Sequence, residues 1–216
     1  MPLAALTMSA LLLLLSSLAI GAAAAAGEPV ILLTAFEPFA GRGVNGSATV
    51  ANRLAGTVIG GARVVVLVLP VRWGEPERRL PDTVTRLKPV LLLGLGEGQP
   101  GRGVVVERLG ANLARHLPDA SGALPPGELL DPQAPSHRPA RFQLDAAWFP
   151  AGAVSVQESH DAGGYLCNEL LFTALAQPVA VCGFVHLAPQ GDQPDEAYAT
   201  PLVPVIRALI AHNVTP

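Results

Sequence analysis

The chain has 216 residues, half of them apolar and 14% charged, with a net charge of −3 and a pI near 5.9. That length suits one domain able to bury a core of its own. The charge balance leaves no basic footprint for nucleic acid, and Gly and Pro punctuate apolar runs rather than form a low-complexity tract, which excludes a disordered chain.

The first 26 residues read apart from the rest. Residues 2–26 carry no charged side chain, the Leu run 11–15 supplies an apolar stretch, and the small residues Ala22–Ala26 offer A-x-A sites to a signal peptidase. The expectation is a signal peptide over 1–26, removed before Gly27, and a folded domain over 27–216. No Lys or Arg precedes the apolar stretch, and about 20 apolar residues also span a bilayer, so an N-terminal membrane anchor is the alternative. Either places the domain outside the cytoplasm, periplasmic or secreted.

From Glu28 onward strands alternate with helices. An apolar, β-branched run predicts a buried strand over 29–35, followed by the loop PFAGRGVNGS. Asn45 or Ser47 caps a helix over 47–55 that Gly56 ends. A second strand covers 62–69. Charges at helical spacing over 74–88 predict one helix, or two short ones divided at Pro81. A third strand over 89–94 runs into the Gly-rich loop GLGEGQPGR. Residues 118–140 hold six prolines, and a connection of that length is usually functional or mobile. Then come a strand over 152–157, a helix over 165–176, a strand over 179–185 and a last helix over 201–212. Such alternation implies an α/β fold, with a mostly parallel sheet covered on both faces.

In an open α/β sheet, ligands bind beyond the carboxyl ends of the strands. Three polar clusters fall there: FEPFAGRGVN, GLGEGQPGR with the following ER, and the pair Cys167 and His186. Cys167 opens the helix after strand 152–157, and His186 follows the next strand. A right-handed crossover between two parallel strands brings both to one rim. The helix N-terminus favours the thiolate, and a thiolate beside an imidazole is what cysteine acyl transfer needs. Small residues in SHDAGGYLCN let backbone approach a ligand, with N–H groups available to an oxyanion. Cys182 sits mid-strand in VAVCGFV, below the rim, so it is read as a core thiol too far from Cys167 for a disulfide. Glu107, beside Arg108, reads by itself as half of a surface ion pair.

Four blocks, in order, resemble the pyroglutamyl peptidase I family of cysteine peptidases. TAFEPFAG with VNGS resembles the family's T-G-F-x-P-F-G-G and V-N-P-S. VVVERLGANL resembles the block ending E-R-x-A-x-N, SHDAGGYLCN the block S-x-x-A-G-x-Y/F-x-C-N, and GFVHLAP the block G-F-I-H-x-P. The resemblance implies a three-layer α/β/α sandwich, often a homotetramer, that releases N-terminal L-pyroglutamate from peptides. It places the nucleophile on Cys167, the base on His186 and the orienting carboxylate on Glu107. It also places the pocket phenylalanines on Phe36 and Phe39 and a lactam-side Asn on Asn45. Pyroglutamate is a flat, uncharged lactam with no free amine, which suits ring faces and a few amide hydrogen bonds. No cofactor or metal is implied. An arginine that helps polarise the acyl oxygen in the family falls on Arg115 or His116.

The chain departs from the family pattern at Ala35, Ala40, Gly46 and Gly110, in the tail after His186, and in carrying a leader. Those departures keep a second reading open, a catalytically idle binder of pyroglutamyl peptides. A third is an amidase of altered specificity using the same three residues, against which the retained Phe36 and Phe39 argue.

Overall fold

The computed structural model describes residues 27–149 and 152–214. The expected signal peptide over 1–26 lies outside the described residues. The chain order is β1 (Val30–Phe36), α1 (Gly46–Leu54), β2 (Val58–Ile59), β3 (Ala62–Leu69), α2 (Glu75–Leu87), β4 (Leu91–Glu97), β5 (Val104–Glu107), β6 (Leu109–Ala111), β7 (His137–Pro139), a 3-10 turn (Ala146–Trp148), β8 (Val156–Ser159), α3 (Leu166–Leu175), β9 (Val181–Leu187) and α4 (Asp195–Val214).

Seven strands form one sheet in the order β2-β3-β1-β4-β9-β5-β8, while β6 and β7 pair separately. The four central strands, β3, β1, β4 and β9, run parallel. β1 and β4 are near-continuous apolar runs, as strands covered on both faces must be. Along β4, Leu91, Leu93 and Leu95 face one layer, packed with Val50, Ala51 and Leu54 of α1 and with Leu202, Val205, Ile206 and Leu209 of α4. Leu92, with Phe184 of β9, faces the other layer, made by Leu80 and Val84 of α2 and Leu166, Leu170 and Ala174 of α3. The result is the α/β/α sandwich expected from the alternation.

Four local expectations change, the first being the strand read over 152–157, which runs over Val156–Ser159. Pro81 does not divide α2, which runs unbroken, with Leu80 and Val84 buried on either side of it. α4 begins at Asp195 rather than near Pro201. Asp195 and Glu196 sit at its positive end and Tyr198 and Ala199 are buried, so packing carries the helix through Pro201 and Pro204. The crossover argument is corrected in its first strand. β5 inserts between β8 and β9, parallel to β8 and antiparallel to β9, so β8 runs opposite to β9. The chain leaves β8 at Ser159 and climbs through 160–165 before α3 starts. Cys167 and His186 still share a rim, because α3 descends across the sheet into β9.

Candidate active site

Tyr165 caps α3, and the N–H of Glu169 closes the first turn onto the Tyr165 carbonyl at 3.1 Å. Cys167 lies in that turn, where helix N–H groups point outward and the dipole is positive. Asn168, fully buried, fastens the turn to the neighbouring chain. Its Oδ1 accepts from Ala111 N at 2.8 Å and its Nδ2 donates to the carbonyls of Ala111 and Leu113.

The thiol rests on a strand with no side chains beneath it. Gly94, Gly96 and Gly98 alternate along β4 and its extension, so they share one face. A Cβ at Gly94 would fall 2.4 Å from the Phe184 ring, one at Gly96 2.8 Å from Cys167 Sγ, and one at Gly98 2.9 Å from the Cβ of His186. The three glycines therefore leave the floor on which Phe184, Cys167 and His186 sit.

His186 projects from the carboxyl end of β9, edge-on to Phe184 at 5.0 Å. Its Nδ1 lies 2.8 Å from Glu107 Oε1, which leaves Nε2 available to Cys167. Burial pushes the imidazole pKa down, but Cys167 and Glu107 outweigh it and raise it to about 10. Glu107 is 2% exposed and comes from β5, one diagonal step from His186 across the strand pair. Arg108 turns away to Glu158 and the Phe142 carbonyl, so Glu107 is no half of a surface ion pair. Both cysteines are free. Cys182 is buried in the α2–α3 layer, and burial pushes its thiol up to about 12 against a smaller opposing pull from Arg141.

Phe36 is buried in the same layer, and Phe39 is half-buried against it, with the Arg42 guanidinium 4.6 Å from its ring centre. Asn45 braces its own loop. Its Oδ1 accepts from the Ser47 N–H and hydroxyl, and its Nδ2 donates to the Glu37 carbonyl. The geometry makes it a cap and a brace. Arg115, exposed like His116, lays its side-chain stem against Gly164, where a Cβ would fall 2.6 Å from Arg115 Cγ, and its N–H donates to the Gly164 carbonyl. Arg115 is therefore the one of the two that packs on the loop leading into Cys167. The Pro-rich excursion is pinned over the same region: Trp73 Nε1 donates to the Leu117 carbonyl, Tyr165 Oη to the Pro118 carbonyl, and the two rings meet edge-to-face at 5.3 Å.

Sequence reading singled out neither Asn168 nor the glycine floor. The signal for the latter was the period of two in LLLGLGEG, hidden because Gly-rich text reads as loop.

What these parts can do together is acyl transfer. A thiol at a helix start, an imidazole beside it and a buried carboxylate behind the imidazole are the parts of a thiol hydrolase on an α/β sheet. The family model of the pyroglutamyl peptidases matches residues 30–211, and the chain belongs to that family. A pyrrolidone-carboxylate peptidase of Gloeobacter violaceus is 34% identical over 165 residues, covering 73% of this chain and 80% of the relative. One from Escherichia fergusonii is 28% identical over 195 residues, covering 82% and 85%. A mutant pyrrolidone carboxyl peptidase of the hyperthermophile Pyrococcus furiosus superposes with a TM-score of 0.71 at 26% identity, covering 85% of this chain and 94% of that one. Pyroglutamyl peptidase I of Bacillus amyloliquefaciens shares the fold, with a TM-score of 0.74 at 22% identity over 87% and 97% of the two chains.

Proposed function

We propose that this chain hydrolyses the amide bond after an N-terminal pyroglutamyl residue, with Cys167 as nucleophile, His186 as proton carrier and Glu107 as its orienting carboxylate. The observation that carries the reading is the buried Glu107–His186 hydrogen bond, with its imidazole beside Cys167 at the start of α3. Cys167 Sγ, as thiolate, attacks the pyroglutamyl carbonyl carbon, and the π electrons move to oxygen, toward N–H groups of the first helical turn. Collapse re-forms the carbonyl and breaks the C–N bond, and the departing amine takes the proton of His186 Nε2. Neutral His186 then takes a proton from water, and the hydroxide adds to the thioester. The C–S bond breaks, releasing pyroglutamate and restoring the thiolate–imidazolium pair. Glu107, buried on Nδ1, keeps Nε2 toward the thiol and stabilises the charged ring. Phe36 and Phe39 supply apolar surface for the lactam, Asn45 holds their loop, and Arg115, packed on Gly164, is the side chain assigned to assist the acyl oxygen.

The chain from Gly27, kept reduced, is expected to cleave a fluorogenic pyroglutamyl amide, and Cys167→Ala to abolish turnover. Activity surviving that substitution would sink the nucleophile assignment, and pyroglutamate binding without turnover in the unsubstituted protein would favour the idle binder. The same reading takes residues 1–26 as an export leader, tested by the mass of the mature N-terminus. It also takes the chain as a homo-oligomer, tested by sedimentation.

A further inference from the structure

We propose that the Glu97–Arg42 ion pair is the positioning element that sets the Phe39 ring for the lactam, so that it governs substrate affinity rather than the reactivity of the thiol. Glu97 ends β4 and alternates with the glycine floor. Gly96 and Gly98 face the thiol and imidazole, and Glu97 points to the opposite side. Its side chain is 4% exposed, yet it joins three segments. Oε1 accepts from Gly46 N at 2.8 Å, at the start of α1, and from Gln190 N at 3.0 Å, in the loop after His186. Oε2 lies 2.6 Å from Arg42 Nη1.

Arg42 in turn covers the Phe39 ring. The segment that carries both has little regular structure to hold it: Ala40 and Gly41 take positive φ, and Arg42 N closes a turn onto the Phe39 carbonyl. Without Arg42, the face of Phe39 loses its planar cover and a buried carboxylate loses its cation. The half-exposed ring is then free to leave the position that a flat lactam would stack against. The thiol has separate supports, Asn168 and the glycine floor, so it should not notice. Lys cannot replace Arg fully, because an ammonium pairs with the carboxylate but offers no planar face.

This inference rests on the lactam reading above, and the test separates the two. Alkylation of Cys167 by iodoacetamide reports thiol reactivity, and protection from it by 2-pyrrolidone reports lactam binding without turnover. For Arg42→Ala, KM for the pyroglutamyl amide and the half-protecting 2-pyrrolidone concentration should both rise by about ten-fold or more. kcat and the unprotected alkylation rate should stay within about three-fold. Arg42→Lys should fall between, and Glu97→Gln, which keeps an acceptor for both backbone N–H groups, should match Arg42→Ala if its Tm shows it folded. Failure of peptide hydrolysis alone would remove the proposed reaction but leave the protection assay to judge the ion pair. Unchanged protection in Arg42→Ala, no protection in the unsubstituted protein, or a parallel fall of kcat and alkylation rate would overturn the inference.

Discussion

Burial by itself would strip the proton from His186, yet Cys167 and Glu107 hold its pKa at about 10. An imidazole charged well above neutral pH keeps a proton ready for the departing amine, and hydrolysis should fail on the alkaline side only as pH rises through that value. Glu107→Gln removes one of the two negative partners and keeps the shape. The pKa of His186 then falls, the alkaline limb of the kcat/KM profile moves to lower pH, and kcat drops by at least about a hundred-fold. A profile whose alkaline limb stays in place would assign that limb to another group. Cys182 is the contrast. Its thiol is held neutral by burial among apolar side chains. Cys182→Ser should leave kcat/KM intact while chemical denaturation shows a loss of about 1–3 kcal/mol, because the new hydroxyl lacks a partner there. The sequence placed the Cys and His on one rim by a crossover that had the direction of β8 wrong; the shared rim survives because α3 leads straight into β9. The sequence did not carry the burial of Glu107, since a Glu beside an Arg reads as solvated until β5 is seen to tuck it under His186.

At the scale of elements, the central strands and most helices were legible because long apolar runs and helical spacing mark them directly. β5 was not, since four residues next to a glycine loop look like its continuation, and with β5 unseen the direction of β8 was misjudged. The glycine face of β4 is the element that most constrains catalysis. Gly96→Ala places a methyl 2.8 Å from both Cys167 Sγ and the Phe184 ring, so the thiol must move while the strand persists. The expected result is a fall in kcat of about a hundred-fold with an unchanged circular dichroism spectrum, since an ångström of misplacement costs that much. Retained activity would mean that the thiol has slack the packing does not show.

At the scale of the molecule, the layer that holds Cys167 contains a carboxylic acid. Glu169 is 3% exposed between α3 and α2, with Oε1 accepting from Gly74 N at 2.7 Å. Burial first, and the nearby Glu77 second, raise its pKa from 4.5 to about 9. The folded state thus binds a proton that the unfolded chain releases, so stability falls as pH rises between those two values. Glu169→Gln keeps the bond to Gly74 and has nothing to ionise. Its Tm should exceed that of the unsubstituted protein at pH 8, and the difference should shrink toward pH 5. Equal pH dependence of the two proteins would place the loss elsewhere.

The floor of Gly94, Gly96 and Gly98 also limits how such a protein can diversify. Glycine is already the smallest residue, so on that face every substitution adds volume and none removes it. New substrate preferences cannot be won by reshaping the site from below. Natural variation in what the protein accepts should therefore concentrate in the loops above the thiol, while this short stretch of strand stays frozen at every second position.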